Sequence, residues 1–472
     1  MRVRTVALAI LVSLAGAPPV GAVPMSLDGD GMAVVDGART FILGLYENPA
    51  DDAVLNEAVA SGVNLVRSES TQAALDRLAA AGCWAWLTTG YAIDLSEDRA
   101  ARGEQLAHMV DNFARHPALI VWEVPDEALW NVWHLAQGWR HNEEPRQLRA
   151  QIAQLADADA VESLLAELDR VGALYRAGRY AEGESRADAL WIALGLDIPK
   201  PGYGLSTAPA RARKMGDGMR TGYETLRALD PAHPIWMNHA PRNSLADLAF
   251  FNQAADIVGC DIYPVPEDLH VKHSDLDNRT ISSVGAYTAR MQAAAGGKPV
   301  WMVLQGTGWG DFLEAREGVE PLRRPTREET RYMAYDAIVH GARGLLYWGT
   351  HYVEKESAFW GELMDVLAEL DRLQPVLAAA DAPIQPQVSL APTYGSVEEG
   401  IKVLAKSRPE GDWLIVVNTW SGPLTATLGN LNGTAVAYRI VGSETDYPVK
   451  GAQITLSMPR YSVQVLEPIP AN

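Results

Sequence analysis

Cysteine is nearly absent from this chain, with two residues in 472, Cys83 and Cys260. That count excludes both a disulfide-stapled fold and a zinc site of the Cys-rich kind. Both cysteines fall in apolar, strand-like runs, where a free thiol behaves as a small buried hydrophobe. Two free thiols are therefore expected. Positive charge is also in deficit: 40 Lys and Arg against 59 Asp and Glu give a formal charge of −19. A surface of that sign repels phosphate backbones, so no nucleic-acid partner is expected. The densest basic cluster, residues 211–220, lies in a helical pattern and reads as a solvated face. The histidines, among them His233, His239, His270, His273 and His351, are scattered without compact ligand spacing. No phosphate-cradling glycine loop follows a strand, and no Gly-x-Ser-x-Gly elbow occurs. Neither a metal nor another cofactor is expected.

Long apolar runs are missing too. Arg2 and Arg4 precede a short apolar stretch, residues 6–14, and Val20-Gly21-Ala22 supplies small residues for cleavage. This is the pattern of a signal peptide removed after Ala22. No segment reaches the roughly 20 apolar residues that a membrane span needs. The sequence thus predicts an exported chain, periplasmic or secreted, with no span in its mature part.

What is present is an alternation of short apolar runs with helical patterns. The runs cover residues 40–45, 63–67, 83–88, 119–124, 234–238, 257–263, 300–304 and 344–348. Near-continuous apolar strands separated by amphipathic helices predict a parallel α/β sheet covered on both faces. Eight of them match the number that closes a (β/α)8 TIM barrel. Helical patterns over 51–60, 72–81, 100–114, 244–255 and 327–340 fill the gaps. One gap is too long for a simple connection. Residues 128–232 carry further helical spacing, as in Leu164, Leu165, Leu168 and Val171, and predict a helical insertion after the fourth strand. That insertion either forms a wall of the cleft or is an elaboration away from it. After residue 375 the period changes to two, predicting a small antiparallel β-sandwich over 383–472 beside a barrel over 23–375. Such a module either binds sugar or braces the barrel, with bracing the more ordinary role.

In a barrel of this kind the site is assembled at the carboxyl ends of the strands. Those ends carry Tyr46, Arg67, Trp122, Asn238, His239, Asp261, Tyr263, Gln305, Trp309 and Trp348. The fourth strand runs into Glu123, Asp126 and Glu127, and a carboxyl beside Trp122 and Trp130 would be pushed up toward the range of a general acid. Fourteen tryptophans against six phenylalanines exceed what plain core packing requires. Their flat faces and N–H donors suit pyranose rings. Trp84, Trp86, Trp236 and Trp301 lie within strands and read as core.

At these positions the chain resembles the clan A glycoside hydrolases. Gly62-Val63-Asn64-Leu65-Val66-Arg67 looks like that superfamily's second strand, Trp122 through Glu127 like its fourth, and Tyr347-Trp348 like its eighth. The resemblance spans roughly residues 41–351 and rests on short motifs. It implies Glu127 as general acid, Arg67 as a brace for an active-site carboxylate and Trp348 as the floor of a sugar subsite, with carbohydrate as substrate. Two departures stand out. Asp126 precedes Glu127 where the superfamily places Asn, and Gln305 stands where a nucleophilic Glu is expected. Three alternatives follow. Asp261 serves as the second carboxylate; or Asp126 and Glu127 act together, as in substrate-assisted hexosaminidases; or the barrel binds sugar without catalysis. Arg67, Asn238, His239, Tyr263 and Gln305 would hydrogen-bond hydroxyls or orient carboxylates, while Trp309 and Trp348 would stack.

Overall fold

The computed structural model describes residues 23–267, 274–313, 322–393, 395 and 397–470. The expected signal peptide lies outside these residues, as do His270 and His273. Eight parallel strands close into a barrel: β1 (Ile42–Leu45), β2 (Leu65–Arg67), β3 (Trp84–Thr88), β4 (Leu119–Glu123), β5 (Ile235–His239), β6 (Ile257–Ile262), β7 (Val300–Gln305) and β8 (Ala342–Trp348). They follow sequence order round the ring, and β8 pairs back onto β1. Every expected strand is present.

Period-two alternation sorts these strands into two cores. Leu43, Val66, Trp122, Met237, Cys260, Met302 and Leu345 point outward into the layer of surrounding helices. Ile42, Leu65, Trp86, Trp236, Trp301, Val303 and Leu346 point inward and fill the bore. The bore is aromatic at its centre. Tyr46 meets Trp86 and Trp236 edge-on at 5.2 and 5.8 Å between ring centroids, and Trp236 tilts against Trp301 at 6.1 Å. Such edge contacts are favoured by the ring quadrupole. Of the four strand tryptophans read as core, Trp86, Trp236 and Trp301 are fully buried, and Trp84 packs partly buried against the same cluster. Both cysteines are free and buried.

The opposite end of the bore is plugged by a small antiparallel sheet, Met25–Leu27, Ala33–Val35 and Ala38–Thr40. Its Met25, Ala33 and Val35 join the inner core, and Met25 N donates to Ala232 O just before β5. Water is thereby excluded from below, so the bore opens at the strand ends.

A helix follows each strand, with boundaries set by ordinary caps. Thr71 caps Gln72–Ala81, which ends at left-handed Gly82, and Thr326 with Glu329 forms a capping box on Arg327–Val339. After β4 come Ala128–Gly138, Glu144–Ile152, Ala158–Arg176 and Tyr180–Ala193 before Ala208–Leu229. The last packs on the barrel so closely that a Cβ at Gly222 would lie 1.8 Å from Ile93 O. It is the barrel's own fourth helix, so the inserted part is shorter than the gap suggests. The inserted helices bury Trp139, Leu148, Leu168, Val171, Leu190 and Trp191 in a separate core. Their polar centre is buried: Arg140 donates to Glu144 at 2.7 Å and to Asp188 at 3.1 Å.

Beyond the barrel the chain forms a three-stranded and a five-stranded antiparallel sheet. Leu404, Ile415, Val417 and Val465 of the larger sheet enter the barrel's outer core. At the seam Asp381 takes Arg343 at 2.6 Å and the buried Lys406 at 2.8 Å. The module is thus bound to the barrel by apolar packing and paired charge together. No helix among the described residues is long and apolar enough to cross a membrane.

Candidate active site

A cleft of about 680 Å³ opens over the carboxyl ends of the strands, within the usual range for a small-molecule site of about 300–1,000 Å³. Seven expected residues line it: Asp126, Glu127, Asn238, Asp261, Tyr263, Trp309 and Trp348.

The carboxylates come from two strands flanking β5. Asp261 is the fifth residue of β6 and points inward. Glu127 caps the helix Ala128–Gly138 in a left-handed backbone conformation, φ 51° and ψ 31°, and its N–H donates to Asn238 O at 3.3 Å. A non-glycine residue pays roughly 1–3 kcal/mol for that geometry. The turn carries the Glu127 side chain from the β4 end back over the bore to Asp261, with which it is hydrogen-bonded. Between the two strands Asn238 donates from Nδ2 to Asp126 Oδ1 at 2.9 Å, and its amide also lies against Asp261.

Burial pushes the Glu127 carboxyl upward, and the Asp261 and Asp126 charges push it further. Burial and Asp126 raise Asp261 as well, against the pull of its hydrogen bonds to Glu127 and Asn238. Two carboxyls in contact resist double ionisation, so the pair retains at least one proton at neutral pH. Asp126 is raised too, chiefly by burial, with Asn238 and Arg67 acting against it.

Beneath this pair lies a carboxyl that the sequence places at the β4 end without assigning it a role. Glu123 is fully buried and pairs with Arg67 at 3.3 Å. Burial outweighs the attraction of Arg67 and pushes Glu123 up to about 8. Arg67 stands 5.8 Å over the Tyr46 ring. The arginine therefore braces a carboxylate, but one a layer below the cleft, and neither Arg67 nor Tyr46 lines the cleft itself. The inward parity of Glu123, two residues after the inward Val121, was the available signal.

Three further expectations need correction. Trp122 points outward, where its Nε1 donates to Asp230 Oδ2 at 2.7 Å beneath the helices. His239 also points outward; its Nε2 meets Asn252 Oδ1 at 2.8 Å, and burial lowers it to about 4. Gln305 points inward but is fully committed to backbone. Its Oε1 accepts from Val265 N at 3.0 Å, and its Nε2 donates to Val265 O and Thr307 O at 2.8 and 3.0 Å. It clamps two loops and has no amide edge left for a sugar.

One wall of the cleft is aromatic. Tyr263 stacks on Trp348 with centroids 5.3 Å apart and planes 13° from parallel. Trp309 donates to Tyr263 O at 3.2 Å, and Phe312 meets both Trp309 and Trp348 at 5.4 Å. Asp311 holds this turn, accepting from Gly308 N at 2.7 Å and Thr307 Oγ1 at 2.8 Å while pairing with Arg324 at 2.9 Å. The facing wall carries Trp130 and His134, stacked at 5.3 Å on the first helix after β4, together with exposed Arg242. Of the two roles open to the segment after β4, its first helix takes the cleft-lining one.

Comparison with solved structures bears on this architecture. A glycoside hydrolase family 5 protein from Bacteroides vulgatus superposes with a TM-score of 0.53 at 12% identity, covering 94% of this chain and 93% of its own. The fold is that of glycoside hydrolases. A β-galactosidase from Bacillus circulans sp. alkalophilus gives a TM-score of 0.50 at 10% identity over 91% of this chain and 99% of its own. One from Rahnella sp. R3 gives 0.50 at 12% identity over 94% and 99%. By sequence, no family model and no curated protein matches the chain. The resemblance drawn from the strand-end motifs thus holds at the level of fold.

Proposed function

We propose that the protein hydrolyses glycosidic bonds in an extracytoplasmic poly- or oligosaccharide, with Glu127 as general acid and Asp261 as the second carboxylate. The observation that carries this reading is the contact between two carboxyls of alternate strands, both pushed upward by burial, at the mouth of an aromatic-walled cleft. Glu127 is protonated where a leaving oxygen needs a proton, and Asp261, once ionised, is the carboxylate beside it. Asp126 has one oxygen engaged by Asn238 and supports the pair by its charge. With Gln305 spent on backbone, no residue at the β7 end competes with Asp261 for the second role. The export pattern at residues 2–22 supports action outside the cytoplasm.

Contact also favours one stereochemical course. Hydrogen-bonded carboxyls stand well inside the roughly 6.5–9.5 Å that an inverting pair needs for its water, and nearer the roughly 5 Å of a retaining pair. In the retaining course Glu127 protonates the glycosidic oxygen as that bond breaks, and an Asp261 oxygen bonds to the anomeric carbon. Water then displaces Asp261, giving its proton to Glu127, and the site is restored. A pyranose ring laid on Trp348 would share the cleft with both carboxyls.

The test is a screen of polysaccharides and oligosaccharides for released reducing ends, followed by proton NMR of the first-formed anomer. Retained configuration, with loss of turnover in Asp261→Asn, is expected. An inverted first product removes Asp261 as nucleophile. Inhibition by a thiazoline mimic of an acetamido intermediate transfers the orienting role to Asp126. Binding without any released ends replaces the hydrolase reading with a sugar-binding one.

A further inference from the structure

A second cleft, of about 440 Å³, lies where the barrel meets the C-terminal sheets, and it shares no lining residue with the first. Asn278, Thr280, Ser282 and His340 line it from the barrel side, and Lys402 and Trp420 from the sheet side. Trp420 is 44% exposed, an uncommon placement for the largest apolar side chain. Its position is set by the backbone around it. Trp420 N donates to Oδ1 of the fully buried Asn418 at 3.0 Å, and Asn418 Nδ2 is anchored on Gly422 O and Pro459 O at 2.9 and 2.8 Å. Thr419 N donates to Gly400 O at 2.6 Å. Glycines flank the tryptophan: a Cβ at Gly400, whose φ is +153°, would stand 3.1 Å from Trp420 Cβ, and one at Gly422 would stand 3.4 Å from Cδ1. The backbone that carries the ring is therefore fixed, and it presents the indole at the surface of the cleft.

Opposite the ring the lining is hydroxylic, beside His340, whose imidazole is paired with Asp336 at 3.2 Å. Thr280 Oγ1 donates to Asn278 Oδ1 at 2.8 Å, and Asn278 Nδ2 donates to Ser282 Oγ at 2.9 Å. Lys402 and Glu399 supply one charge of each sign at the rim, 3.6 Å apart. A phosphate or nucleic-acid ligand would require several cations, and a lipid chain would require apolar walls. A flat apolar face opposed by hydroxyl and amide groups matches the two aspects of a pyranose, its C–H face and its ring of hydroxyls. We propose that this cleft, floored by Trp420, binds a carbohydrate chain at a site separate from the Glu127 cleft. The choice of carbohydrate rests on the proposed function, and the occupant would be a further stretch of the polymer acted on there.

The test uses the full chain carrying Glu127→Gln, so that polymers stay intact, in affinity electrophoresis through gels containing xylan, galactan, glucomannan or β-glucan. At least one polymer should retard this protein. Retardation should persist in Trp348→Ala, weaken about tenfold in Trp420→Ala and return in Trp420→Tyr, with thermal midpoints confirming that each variant is folded. Equal mobility of Trp420→Ala and its parent in every retarding polymer overturns the proposal. So does the absence of retardation in all four gels. Reducing-end release by the unsubstituted protein is measured in parallel. Trp420-dependent retardation without such release unseats the hydrolase reading and leaves this site standing, whereas release with Trp420-independent retardation unseats this site alone.

Discussion

Replacing Glu127 by Gln removes a proton and almost nothing else. The carboxyl is neutral at pH 7 because burial, Asp261 and Asp126 all push it up, so a neutral amide of the same shape leaves the ground-state charge of the cluster unchanged. Substrate binding should therefore be nearly preserved, with KM close to that of the parent. The loss should fall on kcat, by about 10²–10⁴-fold, which corresponds to roughly 2.7–5.4 kcal/mol of transition-state stabilisation. A substrate whose leaving group departs without a proton separates this role from any other. On an aryl glycoside with an acidic phenol, the first step should slow by less than about tenfold. The pH profile supplies a third reading. Rising pH ionises Glu127 in the parent and ends activity, so this limb lies above the ordinary carboxylate range and should vanish in the variant. Steady-state kinetics on both substrates across the pH range provide all three quantities. Equal losses on the activated and unactivated substrates, or a rise in KM that accounts for the whole effect, would refute the assignment.

Asp126→Asn should move both limbs of that profile to lower pH, because the Asp126 charge raises Glu127 and Asp261 alike; unmoved limbs would detach Asp126 from the pair. Trp348→Ala removes the face stacked on Tyr263 and should raise KM roughly two- to tenfold with little change in the pH profile. Gly222→Ala forces a Cβ to within 1.8 Å of Ile93 O and should destabilise by about 1–3 kcal/mol in chemical denaturation. Gly361→Ala, on the exposed face of Ala358–Arg372 with nothing within 4 Å of the added carbon, should be neutral or gain up to about 1 kcal/mol.

The barrel was legible because each strand is a short apolar run bounded by polar residues, and eight such runs leave few other closures. What a list of strand ends does not carry is direction. Trp122 and Glu123 are adjacent, yet one faces the helices and the other the bore. His239 and Asn238 divide in the same way. Counting by twos from Val121 or Trp236, both plain core residues, would have sorted these pairs. Gln305 has the right direction and still misleads, because its amide is consumed by the Val265 and Thr307 backbone, and only the coordinates of those loops reveal it. The meeting of Glu127 with Asp261 is likewise tertiary: 134 positions apart in sequence, they are joined by the barrel's curvature and one left-handed turn. The plug of Met25–Leu27, Ala33–Val35 and Ala38–Thr40 escaped notice because strands of three residues carry too little periodicity to register.

That left-handed turn sets two selective pressures against each other. Glycine at position 127 would adopt φ 51° without steric penalty, so the chain would fold more readily without the proposed acid. Asparagine, the next most tolerant residue there, would likewise be inert. Under the proposed role, screens for thermal robustness alone should therefore enrich inactive variants at this codon, and selection for turnover should hold the glutamate in place.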